Sequence, residues 1–155
     1  MSGRMSLNKG KNGEREVVTK LNSIIERILA MNVEWSEDVV NVARKCIQRN
    51  QNQSAVGGSD LSGVFGLAIE IKRHETLHIE QWWKQCMEQA VRNNEHPVLL
   101  YRQNHQPWRC ITMGHAPLPG GRISTMRVQM EEDPFATWFY QWVYYKMMSG
   151  ELPRV

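Results

Sequence analysis

Gly57-Gly58-Ser59-Asp60-Leu61, followed by Leu67-Ala68-Ile69-Glu70-Ile71-Lys72-Arg73, decides the reading of this chain. Leu67, Ile69 and Ile71 alternate with Ala68, Glu70 and Lys72, the period-two signature of a strand with one oily face, here expected over Val64–Arg73. Residues two apart on a strand share a face. Glu70 and Lys72 therefore project together, with backbones roughly 7 Å apart, while Ile69 and Ile71 enter the core. Asp60 stands just upstream in a glycine-rich turn. An acid in a turn, a second acid on the strand and a fixed cation beside it suit a hard divalent ion, and that chemistry hydrolyses phosphodiesters.

Outward from this strand, the pattern alternates between helix and strand. Residues 1–12 are polar and basic and read as a flexible arm. From Gly13 to about Ala30, Val17, Val18, Leu21, Ile24, Ile25, Ile28 and Leu29 mark an amphipathic helix with Asn12 as its N-cap. Residues 36–45 suggest a short helix capped by Ser36, Cys46–Gln53 a polar strand, and Val56–Gly63 a loop. A third helix is expected from Leu77 to Arg92, with Ile79, Trp82, Trp83, Cys86, Met87, Ala90 and Val91 on one stripe. Pro97–Arg102 and Trp108–Met113 flank the polar turn Gln103–Pro107 and predict an antiparallel pair. Residues 115–123 read as a Pro/Gly loop and Thr125–Met130 as an edge strand. Asp133 and Pro134 then open a helix at 134–149 with the stripe Phe135, Trp138, Phe139, Trp142 and Tyr145. The order predicts a mixed α/β layer fold.

The 155 residues suit one domain, placed here at 13–155. A net charge of +3 and a sequence pI near 8.9 are compatible with a nucleic-acid partner without demanding one. Cys46, Cys86 and Cys110 are odd in number and lack a C-x-x-C pair. They argue against a disulfide scaffold or structural zinc and for a reducing cytoplasm. No apolar run is long enough to span a membrane, and no apolar segment near the start resembles a secretory signal.

Glu14 adds a third acid. Steps of four, seven and eleven residues carry it to Val18, Leu21 and Ile25, so it heads the buried stripe of its helix. A carboxylate in that place needs a cation or hydrogen bonds to receive it. The plainer account is an acid at a helix N-terminus, worth a few tenths of a kcal/mol.

Lys9-Gly10-Lys11-Asn12-Gly13-Glu14-Arg15-Glu16 resembles the opening of archaeal Holliday-junction resolvases. Gly58-Ser59-Asp60 with Ile69-Glu70-Ile71-Lys72 resembles the core motif of the PD-(D/E)XK nuclease superfamily, which contains them. Gln81-Trp82-Trp83 and Pro97–Arg102 are similar to small phage-encoded members, and the likeness covers roughly residues 9–102. Ser59 stands where the superfamily has proline. The resemblance implies a restriction-endonuclease-like mixed sheet flanked by helices, with the C-terminal aromatic helix outside the family core. It implies Asp60, Glu70 and the carbonyl of Ile71 as Mg²⁺ ligands, Mn²⁺ substituting, with Glu14 as a further carboxylate. Lys72, an ammonium among acids, would orient water and stabilise the transition state. Lys9, Lys11, Arg15, Arg49 and Arg73 would hold DNA phosphates. The implied activity is hydrolysis of branched DNA such as Holliday junctions by a homodimer, in the host bacterial cytoplasm if the chain is phage-encoded. No membrane and no small-molecule cofactor is expected.

Three other readings differ in kind. A PD-(D/E)XK nuclease without junction preference would carry the same motif. His74-Glu75-Thr76-Leu77-His78 is formally H-E-x-x-H, a zinc peptidase signature, but that chemistry needs both histidines on one helical turn. Here the pentapeptide begins two residues after Lys72, where the chain is leaving a strand. A non-catalytic DNA-binding accessory protein is the third, and intact Glu14, Asp60, Glu70 and Lys72 speak against it. His96, His105 and His115 are scattered and read as structural. The pair Trp82/Trp83 reads as helix-stripe core.

Overall fold

The computed structural model describes residues 2–31, 34–50, 60–62 and 64–152, with side chains from Lys9 onward. Helix α1 spans Ser2–Met31, α2 Glu37–Cys46, and the short strands β1 (Gln48–Arg49) and β2 (Leu61–Ser62) form an antiparallel clip. Strand β3 (Leu67–Arg73) precedes α3 (Ile79–Asn93) and β4 (His96–Arg102). Strand β5 (Arg109–Pro117), a 3-10 turn at Pro119–Gly121, β6 (Ile123–Glu131) and α4 (Glu132–Met148) complete the chain. The main sheet has the order β3-β4-β5-β6, with β3 parallel to β4 and the other pairs antiparallel. This mixed sheet between helices is the α/β architecture expected.

β3 is an edge strand, yet Leu67–Ile71 are buried on both faces. On one side Ile69, Ile71, Val98, Leu100 and Cys110 meet Val17, Leu21, Ile25 and Ile28 of α1 and Phe135, Phe139 and Val143 of α4. On the other, Leu99, Tyr101 and Ile111 meet Trp82 and Cys86 of α3. Burying an aliphatic or aromatic side chain of this size stabilises the fold by about 1.5–3 kcal/mol. Parallel pairing of β3 and β4 requires a crossover, and α3 supplies it while covering the second face. The oily face of β3 carries Leu67, Ile69 and Ile71 as expected; its other face, with Ala68, Glu70 and Lys72, is covered as well.

Several local expectations are revised. α1 begins at Ser2, so residues 2–12, expected as a flexible arm, are helical and Asn12 lies inside the helix rather than at its cap. No proline interrupts the segment, and extending a formed helix is far cheaper than starting one. Ser36 does cap α2, accepting a hydrogen bond from the Val39 N–H at 3.3 Å. The polar strand expected at Cys46–Gln53 shrinks to Gln48–Arg49, because Cys46 still belongs to α2. Part of that strand and most of the Val56–Gly63 loop, Gly57 and Gly58 included, lie outside the described residues.

Val91 is 76% exposed, because it lies about 180° around α3 from Trp82. The buried stripe of α4 is Phe135, Phe139, Val143 and Met147; Tyr145, about 280° from Phe135, is 65% exposed. α4 starts at Glu132 with Glu131 as its N-cap, so Asp133 and Pro134 sit inside the first turn rather than opening it. The loop expected at 115–123 narrows to a tight turn between two long strands.

One buried polar tie crosses the sheet. Thr112 Oγ1 donates to the Pro97 carbonyl at 2.7 Å and meets His96 Nε2 at 3.0 Å. Thr112→Val leaves the Pro97 carbonyl without this donor and is expected to cost about 1–3 kcal/mol in urea unfolding. Thr112→Ser is expected to recover most of that loss.

Candidate active site

The β1–β2 clip delivers Asp60 to the open edge of β3. The Asn50 N–H donates to the Asp60 carbonyl at 2.9 Å, and the Asp60 N–H donates to the Ile69 carbonyl at 3.1 Å. The Ile71 N–H then donates to Asp60 Oδ2 at 2.6 Å. A side-chain carboxylate thus takes a donor that a further strand would have taken. In a strand the N–H and C=O of one residue point to the same edge, so the Ile71 carbonyl faces Asp60 as well.

Glu70 projects from the α3 side of β3 and is only 2% exposed. Its Oε1 receives the Lys72 ammonium at 2.7 Å, as two residues sharing a strand face allow. Its Oε2 is buried without a hydrogen-bond partner. Asp60 is 9% exposed, and its carboxyl is pushed up from 3.8 to about 7. Burial is the main cause, followed by the neighbouring Glu70 carboxylate; Glu14 adds a smaller push. The Ile71 N–H and Lys72 oppose the rise but do not cancel it.

Glu14 reaches the same corner from α1, where its Oε2 lies 2.5 Å from Arg49 Nε on β1. Gly13 makes that approach possible: a Cβ there would stand 3.3 Å from Arg73 Cβ and 3.5 Å from the Trp108 ring. The helix axis passes close over the end of β3 because this position has no side chain.

Among the described residues, no three His, Cys, Asp or Glu side chains gather as a ready cation site. Two acids do converge, Asp60 and Glu70, while the third, Glu14, is turned to Arg49. The fit to a divalent ion rests on two observations. Glu70 Oε2 is a buried oxygen lacking a donor, and Asp60 is raised by burial and, after it, by the Glu70 carboxylate. Mg²⁺ commonly uses one or two carboxylates and keeps its remaining positions for water and substrate phosphate. Asp60, Glu70 and the Ile71 carbonyl supply such a set.

The remaining predicted residues divide. Lys9 is paired with Glu75 at 2.7 Å, which holds it toward the β3–α3 loop. Lys11 and Arg15 are exposed on α1, and Arg73 is half-buried with its Nε lacking a partner. His74 and His78 sit in a loop rather than on a helical turn, and both rings pack on Trp82, at 5.2 and 5.9 Å. That geometry does not supply the helical pair a zinc peptidase needs.

A network absent from the sequence reading locks α1 in place. Glu16 Oε1 accepts from Arg102 at 3.0 Å and from the Trp108 indole at 2.9 Å, and Arg102 lies over the Trp108 ring. Its members are separated by 86 and 92 residues, so no local spacing announces it. The only prior sign was Glu16 itself, inside the KGxxxERE-like segment.

No helix among the described residues is long and apolar enough to cross a membrane. The family model described as "Phage putative PDDEXK endonuclease" matches residues 5–118. No curated protein matches the chain, and no solved structure does.

Proposed function

Because the chain belongs to that phage PDDEXK endonuclease family, we propose that it is a Mg²⁺-dependent endonuclease that hydrolyses branched DNA, Holliday junctions above all. Nucleases of this superfamily generally use divalent metals, and the family implies DNA as substrate. The observation that carries the reading is the convergence of Asp60 and Glu70 at one strand edge, with Lys72 2.7 Å from Glu70 and one Glu70 oxygen unsatisfied.

In this reading Asp60, Glu70 and the Ile71 carbonyl hold the ion, with Glu14 as a further carboxylate. The bound ion would supply Lewis-acid neutralisation of phosphate charge and a more acidic water. The contact of Lys72 with Glu70 fixes the Nζ, which would orient water and balance charge gathering on the phosphoryl oxygens. Arg49, Arg73, Lys11 and Arg15 border the site and face DNA phosphates; Lys9 joins them only by leaving Glu75. Two symmetric cuts in a junction call for two such sites, so the working unit is a homodimer acting in the host cytoplasm. It acts as a single domain, into which α1 runs unbroken across residue 13.

The direct test offers four-way, nicked and linear DNA to the protein, with Mg²⁺ or EDTA. The expected result is cutting of the junction in Mg²⁺, none in EDTA, and at least about tenfold slower cutting of linear duplex, a discrimination of about 1.4 kcal/mol. Cutting that persists in EDTA overturns the metal-nuclease reading. Equal cutting of linear duplex removes junction preference alone.

A further inference from the structure

Between Glu95 and Glu131 the sequence contains no aspartate or glutamate, but it contains Arg102, Arg109, Arg122 and Arg127. That acid-free run is β4, β5 and β6. Its far end is a two-stranded ribbon: β4 pairs with β5 only from Val98↔Thr112 to Tyr101↔Arg109, whereas β5 and β6 stay paired out to Pro117↔Ile123. His96 and Pro97 of β4 stand level with Gly114 and Met113, so His115–Pro117 and Ile123–Thr125 run past β4, closed by Leu118 and the Pro119–Gly121 turn.

The ribbon has a defined face. Lys72 is in register with Tyr101, and Tyr101 with Arg109. Alternation along β5 places Met113, His115 and Pro117 on the face of Arg109, with Thr125, Arg127 and Ile123 opposite them. This is the sheet face that carries Glu70 and Lys72, and Ile123 lies on it; Leu118 and Arg122, one residue further toward the turn, alternate to the other face, so the tip presents both. Arg127 ties the ribbon to α3 through Glu80 at 2.8 Å. Arg122 is exposed and has no ion pair among the described residues; beside it, Leu118 is 41% and Ile123 67% exposed. Arg122 and the bare aliphatic side chains beside it suit a polyanion with an apolar interior surface. Ribbons of this kind enter DNA grooves, arginine on phosphates and aliphatic side chains on sugars or opened base steps.

We infer that the β5–β6 ribbon is a second DNA contact, a clamp that holds a duplex arm by Arg122, Leu118 and Ile123 at a distance from the cut. The inference rests on the nuclease reading for its substrate and adds to it a specific reach. Eight residues separate Arg109, level with Lys72, from Pro117. At about 3.3 Å per residue that is about 26 Å, or about 8 base pairs of duplex. The family match ends at Leu118, so the turn and β6 belong to the part of this chain beyond it.

The test is binding to four-way DNA in EDTA, where cutting plays no part, by wild type, Arg122→Glu and Leu118→Ser/Ile123→Ser, with arms of about 15 or about 5 base pairs. All three positions are exposed, and unchanged thermal melts are the check on folding. With long arms Arg122→Glu is expected to weaken binding about tenfold or more and to lower the salt slope by about 1. The double-serine variant is expected to weaken binding with the salt slope unchanged. With short arms the three proteins should bind alike. Equal affinities on long arms overturn the clamp, as does a fall in the oligomer mass of the variants, which would make the ribbon a self-association surface. Wild type that cuts DNA while the variants bind normally overturns only the clamp. Wild type that cuts nothing but shows the arm-length dependence keeps the clamp and defeats the nuclease reading.

Discussion

Glu70→Gln is expected to lower Mg²⁺-supported DNA cleavage by about 10³-fold in single-turnover assays at saturating DNA. The substitution keeps the shape of a side chain only 2% exposed but removes its charge. An ion at this edge loses one of two carboxylates, and Lys72 loses the partner that holds it 2.7 Å away. Lewis-acid stabilisation is worth several kcal/mol, and at about 1.4 kcal/mol per decade that is about three decades. Lys72→Met is expected to cost less, about 10²-fold. Calorimetric titration with Mn²⁺ separates the two variants: Glu70→Gln weakens binding, Lys72→Met leaves it near wild type. Cleavage by Glu70→Gln within a few fold of wild type would remove Glu70 from the chemistry.

The second large effect is on stability, and it runs against the usual behaviour of carboxylates. Most native acids are held low and stabilise a fold as pH rises. Asp60 is raised from 3.8 to about 7, so between these values the folded protein binds more protons than the unfolded chain. Stability contributed by this group is therefore present below about pH 4 and lost as pH rises through about 7. The loss is on the order of 2–4 kcal/mol. It is checked by urea unfolding in EDTA at pH 5.5 and pH 8, comparing wild type with Asp60→Asn. The variant is expected to remove this component, making its stability less dependent on pH and higher than wild type at pH 8. A divalent ion should stabilise wild type more at pH 8 than at pH 5.5, because it competes with the proton. Wild type whose pH dependence matches that of Asp60→Asn would show that the fold does not hold the Asp60 carboxyl above its ordinary value.

The two predictions share a cause. The site concentrates negative charge where the chain buries it, and the fold bears that cost through β3. Asp60→Asn is thus expected to gain stability in EDTA while losing cleavage, the trade found where active sites are strained.

Much of this was legible in the residues. Alternation at Leu67–Arg73 placed Glu70 and Lys72 on one face because a strand has no other way to arrange residues two apart. The apolar periods of α1 and α3, the Ser36 cap and the turn at Gln103–Pro107 were likewise local, and local geometry follows from local sequence. Asp60, Glu70 and Lys72 could be named because short spacing and a motif bring them close. Their neighbours could not. Arg49 meets Glu14 across 35 residues, and Lys9 meets Glu75 across 66. Both outcomes depend on where α1 crosses the sheet, which no window of sequence reports.

The sequence by itself determined the strand, its acid–amine pair and the class of chemistry, through spacings shorter than a single element. Only the tertiary structure decided the state of that site. It set Asp60 against the edge of β3, buried Glu70 beneath α3 and carried the β5–β6 ribbon beyond β4. The physical reason is that desolvation and Coulomb repulsion depend on which surfaces close over a group, and those surfaces come from residues far along the chain.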